Sequence, residues 1–439
     1  MLSILHVSQP VDAGVANAVA DLATAQQAAG WKVTVAAPAG GQLQATLERA
    51  GIHHLPWQAS RNPSLSMATE LRDLRRIIDA EQPELVHLHS SKAGLVGRLA
   101  IRGKRPTIFQ PHGWSFCVAS GPARSIITLS ERLATRWTDL VVCVSEDERE
   151  LATRYGLCGD RAISRSTRWT VVCNGVDTQR FRPPSEQEAA TARDRLGLAA
   201  GAAVVCVGRI ARQKGQDILL DAWPDVLRSV PDATLYVVGD GPDRAQLEAQ
   251  GVPGVCFVGP WDDVRSWLWA ADVVALPSRW EGLAYTLLEA MACGRSVVAA
   301  DATGMRQALV KPIHERRIDL AGPQSPEPVG AGVSALAGAQ VGAATRSGLG
   351  TGPTAAPPVL PVPDLPVARV ATTTSVAIPP AGAVVPIEAA PELAGELVQR
   401  LASPSRREAE GRAARRRVIA EFSLHESLEE ICRRTSALI

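Results

Sequence analysis

The 439-residue chain predicts an α/β protein made of two successive Rossmann-like parallel-sheet domains. Three observations carry that expectation. Short apolar runs alternate with helical patterns through residue 310, as in parallel strands buried on both faces. The pattern loosens around Phe181–Gly201, where Pro183 and Pro184 lead into a polar stretch, so a domain linker belongs there. It fails from about Lys311 to Pro380, where twelve of the 31 prolines fall in a segment dominated by Pro, Gly, Ala, Ser, Thr and Val. The expected division is an N-terminal domain over 1–183 and the first part of a C-terminal domain over 184–310. A disordered low-complexity insertion over 311–380, the rest of the second domain over 381–421 and a last helix over 422–439 complete it.

In order, Ser3–Ser8 reads as a strand, Val15–Ala29 as an alanine-rich helix stopped by Gly30, and Trp31–Ala36 as the second strand. This βαβ unit sets a parallel sheet. Leu43–Ala50 and Leu65–Ala80 are helices, the second with Arg72, Arg75 and Arg76 on a solvated or membrane-facing side. Leu85–Leu88, Thr107–Gln110, Leu140–Val144 and Thr170–Cys173 are strands, with a helix from Ser90 to about Ile101. The second series has strands at Ala203–Val207, Leu235–Val238, Val255–Val258, Val273–Leu276 and Ser296–Ala299, and helices such as Gln216–Val230 and Arg244–Ala249. After the insertion, AGAVVPI from Ala381 reads as a strand, followed by helices at Pro391–Ala402, Ser405–Glu421 and Leu424–Leu438.

Charge is nearly balanced, 46 basic against 45 acidic residues, which argues against nucleic-acid binding as the main activity. The eight cysteines form no C-x-x-C pair, and Cys143, Cys206 and Cys256 lie in apolar runs as expected of small core residues. This suits a reducing cytoplasm. The first strand lacks the charged start of a signal peptide, and no run of eighteen apolar residues exists.

The stretch Ala271–Gly294 concentrates the chemistry. A buried strand ends at Pro277, a polar turn carries Glu281 and Gly282, and a helical pattern follows, with Glu289 inside it. A strand end leading into a helix start is where open α/β sheets bind ligands, and free amides there suit an anion. Gly208-Arg209 followed by Lys214-Gly215 repeats that geometry with two cations, a compact site for two phosphates unless it is an ordinary surface loop. Gly239 and Gly241 mark another strand-to-turn switch. In the first half, His112 follows a strand between Pro111 and Gly113, placed to donate a hydrogen bond to a sugar. Ser90, Ser91 and Lys92 contact an anion or cap a helix. His87 and His89 share one strand face, but with no third ligand nearby in sequence no metal site is expected.

In this order, HSSKAG, QPHGW, CNGVD, GRIARQKG, VVGDGP, LPSRWEG and LLEAMACG resemble the retaining glycosyltransferases of family 4, closest to the capsular and exopolysaccharide branch. The resemblance covers about Leu2–Leu309 and resumes from Ala381. It implies a GT-B fold, two Rossmann domains facing a cleft, with the last helix crossing back to the first. By position, it implies that Arg209 and Lys214 neutralise the donor diphosphate, and that Gly282, Leu283, Ala284 and Tyr285 offer backbone amides to phosphate. Glu281 and His112 then lie at the donor sugar, Glu289 at the ribose, and Gly14 and Gly239 close to the donor. It implies a UDP- or GDP-sugar donor, a lipid-linked or glycan acceptor, a peripheral membrane contact, and neither cofactor nor metal. A nucleotide-sugar epimerase of this shape and a catalytically impaired binding homologue are the alternatives. The chain departs from the family at Gln307, where a glutamate is usual, and in its 311–380 insertion.

Overall fold

The computed structural model describes residues 1–60, 66–164, 166–311 and 380–439. The insertion expected at 311–380 lies outside the described residues except at its two ends. The first half runs β1 (Ser3–Ser8), α1 (Ala13–Ala28), β2 (Lys32–Ala37), α2 (Gly41–Arg49), β3 (His53–Pro56), α3 (Met67–Glu81) and β4 (Leu85–His89). It continues through α4 (Ser90–Ile101), β5 (Thr107–Gln110), α5 (Gly121–Ala134), β6 (Leu140–Cys143), α6 (Glu146–Arg154) and β7 (Arg168–Val171). The second half has α7 (Glu186–Arg195), β8 (Ala203–Val207), α8 (Gln216–Ser229), β9 (Thr234–Val238), α9 (Arg244–Glu248), β10 (Val255–Gly259) and α10 (Arg265–Ala270). Then come β11 (Val273–Leu276), α11 (Tyr285–Ala292), β12 (Ser296–Ala300), α12 (Met305–Leu309), β13 (Gly382–Val385), α13 (Ala390–Leu401), α14 (Pro404–Glu421) and α15 (Leu424–Ser436).

Two parallel sheets result, ordered β3-β2-β1-β4-β5-β6-β7 and β10-β9-β8-β11-β12-β13. Both reverse direction of winding at their middle, between β1 and β4 and between β8 and β11. Helices leave opposite faces at such a point, opening a crevice at the strands' carboxyl ends. The central strands are buried along their whole length, which is why they read as unbroken apolar runs. Each sheet has an apolar cluster on either face.

The chain passes between domains twice, side by side. Val176 donates its amide to Phe422 O at 2.9 Å, and Leu424 returns one to Val176 O at 3.2 Å. A side chain at Gly175 would stand 2.4 Å from Leu424 Cα, so only glycine lets these segments approach. Past the crossing, α15 lays Ile431, Leu428 and Cys432 on the first domain's core.

Three sequence expectations need correction. Cys256 is exposed, because β10 is an edge strand with β9 as its one neighbour. The strand expected at Thr170–Cys173 begins two residues earlier, at Arg168. Lys92 is buried and paired with the Glu70 carboxylate at 2.7 Å, so it holds α4 to α3 and is not offered to an external anion.

The insertion leaves and rejoins the second domain at one point. Ala381 donates its amide to Leu309 O at 3.0 Å, and β13 then pairs with β12. Replacing residues 312–379 with a short Gly/Ser connection should therefore leave the fold intact and the thermal midpoint unchanged or higher, since a shorter loop closes at lower entropic cost. Loss of cooperative unfolding in that variant would show that the segment is needed to hold β13.

Candidate functional site

The loop after β11 is fastened from two sides. Within the second domain it is zipped to the turn that precedes α8. The Arg279 amide donates to Gln213 O at 2.8 Å, Gln213 Nε2 donates to Trp280 O at 3.1 Å, and the Arg279 guanidinium pairs with Asp217 at 2.7 Å. The turn can lie this close because Gly215, at φ +69°, has no side chain; a Cβ would stand 2.1 Å from Pro277 O. The zipper brings Lys214 Nζ to 2.6 Å from Glu281 Oε1, joining two residues 67 positions apart. Arg209 follows β8 at the same carboxyl end and is half-buried. Gly239 sits behind it, where a Cβ would strike Gly208 O at 2.1 Å.

From the other side, the first domain holds the loop's carbonyls. Ser145 Oγ donates to Gly282 O at 3.0 Å, and Asn174 Nδ2 donates to Leu283 O at 2.8 Å. In a trans peptide the N–H points opposite to the C=O. Anchoring these two carbonyls therefore turns the amides of Leu283 and Ala284 away from the first-domain side chains. None of the amides from Gly282 to Tyr285 donates to an acceptor among the described residues, and α11 begins at Tyr285. The result is a bundle of unpaired donors at a helix start, the arrangement that takes a phosphate.

The two domains touch where side chains are missing. A Cβ on Gly282 would meet Val144 Cγ2 at 2.9 Å, Gly113 N at 3.0 Å and the His112 carbonyl carbon at 3.0 Å. One on Gly14, in the first turn of α1, would meet Tyr285 Cδ2 at 2.8 Å. His112 is held at φ +53°, uncommon for a residue with a side chain and frequent at functional loops. Its loop is stapled by Glu148, whose carboxylate accepts the Gly113 amide at 2.6 Å and the Val144 amide at 2.7 Å. Burial pushes Glu148 up to about 7 despite those two donors. Glu289 lies a turn into α11, and its carboxylate makes no hydrogen bond or ion pair among the described residues. Burial raises its carboxyl to about 7, partly opposed by Arg180.

Sequence reading missed Ser145, Glu148 and Asn174. The first two were visible as an S-x-x-E cap, and Ser145 does accept the Glu148 amide at 3.1 Å. Gln307 also joins the domains, its Oε1 accepting the Glu146 amide at 2.8 Å. The metal expectation changes in one respect. β1 pairs in register with β4, placing His6 beside His87, so a third histidine is present after all. The ring nitrogens of His6, His87 and His89 lie within 4.8 Å of one another.

Comparison with known proteins adds the following. Residues 13–180 match the Glycosyltransferase Family 4 domain family and residues 201–336 match Glycosyl transferases group 1. The chain is 32% identical over 282 residues to alpha-maltose-1-phosphate synthase of Mycolicibacterium smegmatis, covering 58% of this chain and 69% of that protein. It is 27% identical over 253 residues to the Escherichia coli UDP-Gal:alpha-D-GlcNAc-diphosphoundecaprenol alpha-1,3-galactosyltransferase, covering 55% of this chain and 63% of that protein. It superposes on Anabaena HepE, solved in complex with UDP and glucose, with a TM-score of 0.70 at 20% identity over 99% of this chain and all of that one.

Gly282→Ala inserts a methyl group between the domains and should open the cleft. The expected outcome is a lower affinity for pyrophosphate, the anion the unpaired amides suit, by calorimetry with little change in thermal stability. Unchanged affinity would mean that the contact at Gly113 and Val144 does not shape the site.

Proposed function

The chain belongs to the glycosyltransferases of group 1 and family 4 and has their GT-B fold. On that premise we propose that it moves a hexosyl or N-acetylhexosaminyl group from a UDP- or GDP-sugar to a lipid-linked or glycan acceptor in cell-surface glycan synthesis. The carrying observation is the junction of Lys214, Glu281 and the unpaired amides of Gly282–Tyr285, set against His112 across the cleft.

Breaking a sugar–phosphate bond puts charge on the β-phosphate. In this reading Arg209, Lys214 and the α11 amides neutralise it without a metal ion, in a cleft that excludes water. Glu281 contacts the donor sugar while holding Lys214, and Glu289 accepts the ribose hydroxyls. Gly14 and Gly239 let backbone approach the donor. His112 lies at the sugar. The anomeric configuration is retained by front-face attack, with a phosphate oxygen taking the acceptor's proton; the alpha-1,3 linkage in the E. coli relative's name accords with this.

The lipid-linked acceptor is supported by the diphosphoundecaprenol in the E. coli relative's name. It is supported further by α5, which exposes Ile126, Leu129 and Leu133 with Val118 just before it. We place this apolar face against the cytoplasmic leaflet of a membrane; no described helix is long and apolar enough to cross one.

Incubation with UDP-, GDP- and dTDP-sugars and a vesicle-borne polyprenyl-diphosphate sugar tests the reading. Transfer with a retained anomer by NMR supports it. Donor interconversion would make the chain an epimerase, and binding without turnover an inactive homologue. Lys214→Ala should lower kcat by about 10²–10³ with the fold unchanged; full activity in that variant would sink the phosphate assignment. Because the Glu289 carboxyl ionises only as pH passes about 7, donor KM should fall as pH rises through that value. Glu289→Gln should flatten the profile, and an equally steep profile in that variant would remove Glu289 from the ribose.

A further inference from the structure

Four histidines stack at the carboxyl ends of β1, β4 and β5. Ring centroids are 5.3 Å apart for His6 and His87, 4.1 Å for His87 and His89, and 5.5 Å for His89 and His112. Three of them join a hydrogen-bonded chain that starts in α1. Gln26 Oε1 lies 2.7 Å from His6 Nε2, His6 Nδ1 lies 3.0 Å from His89 Nε2, and His89 Nδ1 lies 3.2 Å from His112 Nε2. Gln26, His6 and His89 are fully buried. Burial lowers His6 and His112 to about 4 and holds His89 well below the usual imidazole value, so the rings are neutral at physiological pH.

A neutral imidazole has one donor and one acceptor nitrogen, so orienting one ring in such a chain orients them all. Gln26 is placed with its carbonyl oxygen toward His6 and its Nε2 buried without a partner; in that orientation the oxygen can only accept. His6 then carries its proton on Nε2 and accepts at Nδ1 from His89 Nε2–H. His89 accepts at Nδ1 from His112 Nε2–H. That leaves His112 Nδ1 without a proton, and this atom is buried with no protein partner. A buried bare acceptor is costly unless something donates to it.

We propose that Gln26 is a positioning residue which, through His6 and His89, fixes His112 as the Nε2–H tautomer, so that Nδ1 accepts a hydrogen bond from a hydroxyl of the donor sugar. This reverses the polarity expected from sequence, in which His112 donates. The sugar contact rests on the glycosyltransferase reading, whereas the tautomer does not. The same geometry sets the chain against a metal at His6, His87 and His89. Both nitrogens of His6 and of His89 are already engaged, and of the three only His87 has ring nitrogens with no hydrogen-bond partner among the described residues.

The test is long-range ¹⁵N–¹H correlation NMR on the full chain with ¹⁵N-labelled histidine and no substrate, with resonances assigned from a His112→Asn spectrum. The chain requires a protonated Nε2 and a bare Nδ1 at His6, His89 and His112. His112 found as the Nδ1–H tautomer, or charged at neutral pH, overturns it, as does stoichiometric zinc ligated by His6 and His89. In Gln26→Leu the His112 signals should move to a mixture of tautomers while circular dichroism is unchanged; a purely structural role for Gln26 leaves the tautomer as it was. Adding UDP-glucose and UDP-galactose to the wild type then separates the two claims. A shift at His112 Nδ1 with either donor supports the sugar contact, and no shift with a bound donor overturns that part alone.

Discussion

The geometry of the cleft depends on one short loop held by both domains. Second-domain contacts at Arg279 and Gln213 set where Glu281 stands, and hence where Lys214 stands. First-domain contacts from Ser145 and Asn174 set which way the following amides point. Neither set would serve alone. Lys214 is partly neutralised by Glu281 at close range, so directed amides at the helix start are needed beside it, and the amides alone carry only partial charges. The loop is therefore held by residues of both domains at once.

Several further contacts cross the same boundary and act in the same sense. Gln307 accepts an amide from the start of α6, Lys311 pairs with Asp147 at 2.5 Å, and α15 returns to pack on α1 and β-strand residues of the first domain. At Gln307 an uncharged amide replaces the family's carboxylate, beside a helix start that already carries Glu146, Asp147 and Glu148. Glutamine keeps the acceptor that the Glu146 amide uses and gives up the charge.

What could be read from sequence was whatever carries its signal locally. The buried strands of both sheets were legible because strands covered on both faces must be apolar throughout. The α11 stretch was legible because a strand, a polar turn and a helix follow one another without interruption. Edge and surface elements were not. β3 reads HHLP, with no apolar alternation, because it has one neighbour and half-exposed side chains. α5 carries no strong core-facing stripe because Ile126, Leu129 and Leu133 face outward, although Pro122 in its first turn marks a helix start. α6 is almost wholly charged and betrayed only by its cap. Within the site, single residue types suggested Lys214 and Glu281, but their contact spans 67 positions and needs the folded turn. Asn174 and Ser145 had no chemistry of their own to announce them; their function lies in what they orient.

The central claim is that Arg209, Lys214 and the amides of Leu283 and Ala284 converge on one diphosphate. A crystal structure of the full chain with UDP tests it most directly. The account predicts the β-phosphate within hydrogen-bond distance of Lys214 Nζ, the Arg209 guanidinium and both amides, with Ser145 and Asn174 still on the loop's carbonyls. A diphosphate bound elsewhere in the cleft, or at the same place with the Ser145 and Asn174 contacts broken, would contradict it.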